Sequence, residues 1–310
     1  MAAKTDQATR PAQRMHFDAA MLTNVGVVRS HNEDVVLYAV PQDNGSAGDH
    51  GSLALVADGM GGHAAGEVAS GLAAEIIRRV FYEVDGPVPV VLASAFAAAN
   101  REILNWTKVH PECAGMGTTC TALALRGNEA WLAHIGDSRA YLLRGSELTQ
   151  LSEDQTLVAE LVREGKLTAE EAESSPVSNV ILQALGMGPD IGPIIWDKPL
   201  PLAAGDTLVL CTDGLSGLVS NAAIADIAGR LAPHEACNAL IEAALGAGGH
   251  DNVSVGVIRV AAEAEQAAAS GQTTRRMAIP DHAGSGMTRE SADAQTRRIM
   301  SPFESSRPDG

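Results

Sequence analysis

Two short apolar runs in this chain are each followed by the same acidic turn. The run at 53–57 is followed by Asp58 and a glycine, and the run at 208–211 is followed, after one threonine, by Asp213 and a glycine. Short apolar runs bounded by a turn signal are typical of buried strands. Because a carboxylate beside a buried strand loses hydration, it requires a compensating charge. The pattern therefore indicates a nearby cation, and a divalent metal ion is the simplest candidate.

Two longer segments repeat their apolar residues at helical spacing. In the segment that begins at Gly66, apolar residues recur every three or four positions from Val68 to Val80. The segment 90–108 places Leu92 and further apolar residues on one helical face. This periodicity predicts two amphipathic helices.

The rest of the chain mixes strand-like and helix-like segments. Short apolar and β-branched runs predict further strands at 35–40, 118–126, 129–135, 139–144, 147–151, 194–197, 207–212 and 253–260. Helical spacing predicts further helices at 155–164, from Thr168, at 221–230 and at 234–245. Residues 22–34 and 41–52 are punctuated by Asn, Gly and Ser, which predicts turns and loops.

Residues 155–185 interrupt the strands with short helices and a loop. The sequence from Thr168 to Glu171 predicts a capping box at the start of one of these helices. A small helical insert between strands is typical of a lid. We therefore name residues 155–185 the flap and expect it to set substrate selectivity.

The composition narrows the possible partners. A hydrophobic content of 45% suits a globular protein. The net charge of −16 argues against nucleic acid or an anionic membrane as the main partner. The acidic residues concentrate in 15–260, as a metal-dependent site requires, although a solvated acidic surface accounts for most of them.

The cysteines and the N-terminus bear on the cellular compartment. Cys113, Cys120, Cys211 and Cys237 show no C-x-x-C spacing, so neither a zinc knuckle nor a redox pair is indicated. We expect them to be reduced in a cytoplasmic protein. Residues 1–14 lack the apolar core of a signal peptide, and no apolar run approaches the length of a membrane span.

Both ends of the chain differ in composition from its middle. Residues 1–14 and 261–310 lack apolar periodicity and are predicted to be disordered. The C-terminal tail contains a near-repeat at Thr274–Met277 and Thr296–Ile299. Chance is the simpler interpretation in a low-complexity segment, and a motif that docks a partner or is phosphorylated is the alternative. The folded domain is predicted to span 15–260.

Five aspartates lie where predicted strands begin or end. Asp34 and Asp251 precede strands, whereas Asp58, Asp137 and Asp213 follow them. If these strands belong to paired sheets, their ends can gather at one cleft. Carboxylates without Cys or paired His favour Mg²⁺ or Mn²⁺ over zinc. Such a cluster could hold two divalent ions about 3.5–4 Å apart that share a nucleophilic water.

The motifs around these aspartates resemble the metal-dependent Ser/Thr protein phosphatase family (type 2C) in its compact bacterial form. The resemblance covers about residues 17–260, in the family's order and spacing. The matching motifs are Gly26–Arg29, Asn32–Asp34, Asp58–His63, Gly117–Thr119, Gly136–Arg139, Cys211–Gly214 and Asp251–Ser254. The resemblance implies an α+β fold. Two central antiparallel sheets flanked by helices would form a four-layer α-β-β-α sandwich, with the helical flap as an insert.

The resemblance also implies a set of metal ligands. These are Asp34, Asp58, Asp213 and Asp251, together with the backbone carbonyl of Gly59. Asp137 matches the position that holds a third, weaker ion in the family. The implied cofactor is Mn²⁺ or Mg²⁺, with two ions in the main site.

Three further residues match catalytic positions of the family. Arg29 would bind the phosphate, and Glu33 would orient metal-bound water. A hydroxide that bridges the metals would attack phosphorus directly, and His63 would protonate the departing seryl or threonyl oxygen. This direct attack needs no phosphoenzyme intermediate.

The implied function is hydrolysis of phosphoserine and phosphothreonine in proteins, in opposition to a bacterial Ser/Thr kinase. Two alternatives use the same fold. One is a catalytically silent regulatory module that binds phosphopeptides, although such a module would be expected to lack a ligand aspartate. The other is a metal-dependent hydrolase of small phosphate esters.

Some residues near the motifs have simpler interpretations. Each Asp-Gly taken alone is more often an ordinary turn than a metal site. Arg139 is expected to form an internal salt bridge, and His134 is expected to be structural or solvent-facing. Gln155 and Thr156 stand where the family often has His-Ser, so the local contacts of the flap are expected to differ.

Overall fold

The structure is a computed structural model that describes residues 15–41, 50–61, 65–173 and 175–262 of the 310-residue chain. The predictions of disorder for 1–14 and for 263–310 lie outside these residues, as does His63. Among the helices of the described ranges, none combines the length and apolar character needed to cross a membrane.

Twelve strands and seven α-helices are present in the described ranges, and Pro111–Cys113 form a short 3₁₀-helix. The strands are β1 (Met15–Asn24), β2 (Asp34–Ala39), β3 (Ser52–Met60), β4 (Gly117–Thr118), β5 (Cys120–Arg126), β6 (Glu129–Ile135), β7 (Arg139–Arg144), β8 (Glu147–Gln150), β9 (Ile194–Ile195), β10 (Leu200–Pro201), β11 (Thr207–Cys211) and β12 (Val253–Ala262). The helices are α1 (Ala65–Glu83), α2 (Val88–Val109), α3 (Leu157–Arg163), α4 (Ala169–Glu173), α5 (Asp213–Ser216), α6 (Asn221–Arg230) and α7 (Pro233–Gly246).

The strands form two antiparallel sheets. Sheet I has the order β1-β12-β11-β7-β8. Sheet II has the order β10-β6-β5-β3-β2, with β4 paired to β3 and β9 paired to β6. The register places Asp34 of β2 opposite Asp58 of β3. Neighbours in sheet I include β11 and β12, whose Cys211 and Val255 are partners.

Strand β3 is covered on both faces, which explains its continuous apolar sequence. Leu53 and Leu55 pack against α1 and α2, whereas Ala54 and Val56 pack between the two sheets. All four are fully buried. A strand covered on both faces needs no polar alternation. Burying each leucine contributes about 1.5–3 kcal/mol.

Strand β11 repeats this arrangement in sheet I. Leu208 and Leu210 face the layer between the sheets, and Val209 and Cys211 face α6 and α7. The apolar side chains therefore form three layers, one between the sheets and one beneath each pair of helices. This arrangement confirms the predicted α-β-β-α sandwich.

Four elements differ from the sequence predictions. β1 pairs with β12 along its whole length, from Met15 opposite Ala262 to Asn24 opposite Val253. The sequence predicts turns at residues 22–24. They belong to a strand instead, because they lie at the edge of the sheet and pair with β12. Likewise, β12 continues two residues beyond the expected domain end at 260. Two short elements, β10 and α5, are too brief for periodicity to reveal.

The flap is a helical insert fastened at its base. The capping box is confirmed, because the Thr168 N–H donates to Glu171 Oε2 (2.8 Å) and the Glu171 N–H donates to Thr168 Oγ1 (3.2 Å). The predicted helix at 155–164 begins at Leu157, with Thr156 as its N-cap. At the other end of the flap, the Leu185 N–H donates to the Thr118 carbonyl (2.9 Å). The flap is thus attached to β4, next to Gly59.

Candidate active site

One pair of predicted site residues is brought together by strand register. Asp34 begins β2 and is opposite Asp58 in β3. Asp34 is buried, whereas Asp58 is partly exposed. The Asp58 N–H donates to Thr119 Oγ1 (3.0 Å). Two carboxylates therefore lie side by side at one end of sheet II.

The second pair comes from sheet I. Asp213 begins α5 just after β11, and Asp251 lies two residues before β12. Thr212 connects the sheets, because its Oγ1 donates to Asp34 Oδ2 at 2.9 Å. The same oxygen accepts from the Ser254 N–H at 3.1 Å. The structure thus brings the four aspartates to one place between the sheets.

The carboxylates raise one another's pKa values. Burial is the largest cause of the raised pKa of Asp34, which lies at about 7, and the charges of Asp213 and Asp251 raise it further. Hydrogen bonds from Ser254 and Thr212 partly oppose this rise. Burial, followed by the charges of Asp34 and Asp213, also raises the pKa of Asp58 well above its ordinary value. The cluster therefore carries more negative charge than the protein itself compensates.

Asp213 supplies a direct test of whether a metal ion fits. Burial is the largest cause of its raised pKa. Its Oδ1 atom is buried and has no hydrogen-bond partner. A buried carboxylate oxygen without a donor costs free energy, and a cation would remove this cost. The residues present therefore fit a hard divalent cation.

Gly59 follows Asp58 where three backbone segments pack closely together. A side chain there would overlap the backbone oxygens of Gly66 and Glu33. The Gly59 N–H donates to the Glu33 carbonyl (3.1 Å). Because no side chain intervenes, the backbone at Gly59 can reach the cleft beside Asp58.

Asn252 holds the loop that carries Arg29 and Glu33. Its side-chain Oδ1 accepts from the Glu33 N–H at 2.8 Å, and its Nδ2 donates to the Val25 and His31 carbonyls, each at 2.9 Å. Sequence reasoning assigned no role to Asn252. Its position in the motif next to Asp251 was the available signal.

Arg29 lies at the rim of the cleft. Its Nη2 donates to Asp251 Oδ2 at 2.8 Å, and the two side chains are 50% and 38% exposed. The hydrogen bond with Asp251 is the largest cause of the raised pKa of Arg29. The guanidinium is therefore charged and accessible from solvent.

Asp137 lies in a tight turn beside the cluster. Gly136 has φ of +105°, and a Cβ there would lie 2.6 Å from the Thr119 side chain. Burial is the largest cause that raises the pKa of Asp137 to about 7, and Asp213 and Asp154 add to it. Asp213 is thus electrostatically coupled to Asp137 as well as to Asp34 and Asp58.

Two simpler interpretations are confirmed. Arg139 forms a bidentate ion pair with Asp154, with Nη2 and Oδ2 2.6 Å apart. His134 is buried and contacts Thr121 Oγ1 (2.8 Å) and the Glu153 carbonyl (3.0 Å). Both residues are structural.

The cleft has a volume of about 290 Å³. Its lining contains six of the predicted site residues, namely Arg29, Glu33, Asp58, Gly59, Asp213 and Asp251. Asp34, paired with Asp58, is not among the residues that line the cleft, and Asp137 lines an adjoining groove instead. Ile181 of the flap also lines the cleft, which the sequence did not predict.

The arrangement fits a hydrated cation rather than a closed ligand cage. Within the described ranges, no three His, Cys, Asp or Glu side chains converge closely enough to hold a metal ion by themselves. Mg²⁺ commonly keeps several waters and takes only one or two carboxylates. An all-oxygen cleft with an accessible arginine could bind metal ions and a phosphate together.

Comparisons with known proteins agree with this chemistry. The family model described as Protein phosphatase 2C matches residues 39–248, a range that includes Asp58, Asp137 and Asp213. "Serine/threonine protein phosphatase PstP" of Mycobacterium tuberculosis is 43% identical over 236 residues, which are 76% of this chain. That match spans only 43% of the mycobacterial relative.

A second relative matches over nearly its full length. "Protein phosphatase PhpP" of Streptococcus pneumoniae is 38% identical over 253 residues, which cover 78% of this chain and 97% of PhpP. Among solved structures, the catalytic domain of PstP in complex with two manganese ions is 40% identical, with a TM-score of 0.69. That likeness covers 80% of this chain and 99% of the PstP domain.

Proposed function

Because the chain belongs to the protein phosphatase 2C family, we propose that it hydrolyses phosphoserine and phosphothreonine in proteins in a Mn²⁺- or Mg²⁺-dependent reaction. The observation that carries this proposal is the convergence of Asp58, Asp213, Asp251 and Arg29 on one cleft. Relatives named as protein phosphatases, PstP among them as a serine/threonine protein phosphatase, support phosphorylated proteins as the substrate class.

The metal ions would be held by carboxylates from both sheets. We assign Asp34, Asp58, Asp213, Asp251 and the Gly59 carbonyl to the main site. When bound, two divalent ions lower the pKa of a water and offset the charge of the phosphate. The unpartnered Oδ1 of Asp213 supports this assignment. Asp137, coupled electrostatically to Asp213, would contribute to a third site.

Arg29 is proposed to bind the phosphate. A planar guanidinium can donate to two phosphate oxygens at once. The hydrogen bond to Asp251 holds Arg29 at the rim of the cleft while half of its side chain stays exposed. The residue is therefore placed to bind an incoming phosphate without first leaving a buried position.

Glu33 is proposed to orient a water in the cleft. Ser70 Oγ donates to the Glu33 carbonyl at 2.6 Å, and Asn252 accepts from the Glu33 N–H. The backbone of Glu33 is thereby held from two sides, and its side chain lines the cleft. His63, outside the described residues, is proposed as the acid that protonates the leaving oxygen.

The physiological setting is a further part of the proposal. We propose that the enzyme acts in the cytoplasm and opposes a bacterial Ser/Thr kinase. The tail, 261–310, would recruit a partner and be dispensable for chemistry. Truncation after Ala262 is expected to leave hydrolysis of a small aryl phosphate unchanged. Loss of that hydrolysis would contradict the proposed role of the tail.

Turnover of a phosphothreonine peptide with Mn²⁺, with Mg²⁺ and with chelator tests the function. We expect metal-dependent release of phosphate that Asp213→Asn reduces by at least 10²-fold. Asp226→Asn is the matched control, because Asp226 is exposed on α6 and lines neither the cleft nor the adjoining groove. Turnover that persists in chelator, or in Asp213→Asn, would contradict the proposed chemistry.

The same assay distinguishes the two alternatives. A folded protein that binds Mn²⁺ without releasing phosphate would be a regulatory module. Rapid hydrolysis of small phosphate esters, with none of the phosphopeptide, would indicate an esterase of small molecules. None of the four ligand aspartates is missing from the sequence, which favours a working enzyme.

A further inference from the structure

A second cavity adjoins the cleft and is about three times larger. Its volume is about 900 Å³, and it lies between the flap and the segment 216–220 that connects α5 to α6. We name it the flap groove. Asp213 lines both the cleft and the flap groove. The two spaces therefore share a wall residue at the proposed metal site.

The charged residues of the flap groove are paired with one another. Arg139 binds Asp154, and Arg163 of α3 binds Glu153. The two remaining charges, Asp137 and Asp213, lie at the end next to the cleft. Beyond that end, the flap groove therefore offers no unpaired charge to a ligand.

Aliphatic side chains form two parts of the flap-groove wall, among polar residues and the paired charges. Val158 and Val162 of α3 line one side, and Leu218 and Val219 line the other. Ser178 and Asn179 add a hydroxyl and an amide on the flap side. Such walls match a polypeptide with small apolar side chains, because burying an unpaired charged side chain there would cost free energy.

The dimensions also match a polypeptide next to a phosphorylated residue. A volume of 900 Å³ lies within the range that buries most of a bound ligand, roughly 300–1,000 Å³. The 290 Å³ cleft accommodates a phosphorylated side chain but not the flanking chain.

We propose that the flap groove binds the extended segment of the substrate next to its phosphoserine or phosphothreonine and selects aliphatic over acidic neighbours. This inference rests on the proposed phosphatase function. It adds a surface that only polypeptide substrates use, since a small ester bound in the cleft does not reach α3. Hydrolysis of peptides and of small esters should therefore respond differently to changes in the flap groove.

The test compares three substrates: a valine-flanked phosphothreonine peptide, a glutamate-flanked one and para-nitrophenyl phosphate. For the parent protein, we expect the valine-flanked peptide to have a KM several-fold below that of the glutamate-flanked peptide. Val162→Asp should raise the KM for the valine-flanked peptide about tenfold with little change in kcat. Its hydrolysis of para-nitrophenyl phosphate should stay within twofold of the parent rate.

Two further variants keep the test decisive. Asn179→Asp adds a charge at an exposed position with almost no change in shape, so it tests the proposal even if Val162→Asp fails to fold. It should also raise the KM for the valine-flanked peptide. Val90→Asp is the matched control, because Val90 is 58% exposed on α2 and lines neither cavity. It should behave like the parent on all three substrates.

The outcomes separate the two levels of the proposal. Parent-like KM values for both peptides in Val162→Asp and Asn179→Asp would overturn the role of the flap groove alone. An equal loss with the peptide and with para-nitrophenyl phosphate would do the same, because the variants would then act on the cleft. No hydrolysis of any substrate by the parent would overturn the phosphatase function, and this inference with it.

Discussion

Thr212 Oγ1 donates a hydrogen bond to Asp34 Oδ2 at 2.9 Å, and this contact joins the two sheets behind the metal cleft. Thr212 is fully buried. Its hydroxyl lowers the pKa of Asp34, whereas burial raises it. One hydroxyl thus helps to keep a buried carboxylate available as a ligand.

Removing this hydroxyl should weaken metal binding. Thr212→Val keeps the shape of the side chain but removes one of the two hydroxyl donors of Asp34, which costs about 1–3 kcal/mol. We expect weaker binding of Mn²⁺ by titration calorimetry and a lower free energy of unfolding. Thr212→Ser retains the hydroxyl and is the control. If the valine and serine variants bind Mn²⁺ equally, the contact has no role in the site.

Arg29 should contribute to phosphate binding and little to stability. Arg29→Ala should lower kcat/KM by about 10²-fold or more, and Arg29→Lys should recover only part of the loss, because an ammonium lacks the planar fork. Melting temperatures should stay near the parent value, since exposed ion pairs contribute about 0–1 kcal/mol. Steady-state kinetics on a phosphopeptide measure the effect. Full activity of the lysine variant would exclude a bidentate role.

Metal binding should depend on pH around neutrality. In the metal-free protein, burial and neighbouring carboxylates hold the pKa of Asp34 and of Asp137 at about 7. Because ligands must lose their protons, the apparent affinity for Mn²⁺ should fall as the pH drops from 8 to 6. Calorimetry in buffers of different ionisation enthalpy should detect protons released on binding at pH 7. Binding without proton release would contradict these pKa values.

The same carboxylates should make the metal-free protein less stable at high pH. Their folded pKa values exceed the ordinary value near 4, so the folded state binds more protons than the unfolded state between about pH 4 and 7. The stabilising effect of protonation is present below about pH 4 and is lost as the pH rises through 7. Melting with chelator at pH 5.5 and 8, and again with Mn²⁺, measures this. We expect Mn²⁺ to raise the Tm more at pH 8 than at pH 5.5.

Gln155 fastens the flap to the turn that carries Asp137. Its Oε1 accepts from the Gly136 N–H at 2.9 Å, and its Nε2 donates to the Gly192 carbonyl at 2.8 Å. Gln155→Ala should speed hydrogen exchange in 134–139 and in 188–194. Gln155→Glu keeps the acceptor for Gly136 and should affect mainly 188–194. Unchanged exchange in both segments of the alanine variant would mean that other contacts fasten the flap.

The local sequence pattern was sufficient to predict the strands that are buried on both faces and the helices that are amphipathic. The apolar run 53–57 and the helical spacing from Val68 to Val80 each follow from the side chains that must avoid water. β1 was missed because it is an edge strand, and only its pairing with β12 defines it.

The sequence by itself determined the chemistry of this protein: aspartates at strand ends, a glycine that permits close approach and an arginine for phosphate. Tertiary structure alone decided how these groups meet. Thr212 and Asp34 are 178 residues apart, and no local pattern records their hydrogen bond. The position of the flap groove next to the cleft depends likewise on contacts between distant segments, because its lining combines flap residues with residues 213–220. Side-chain patterns encode which groups are buried, whereas contacts between distant segments arise only when the two sheets pack together.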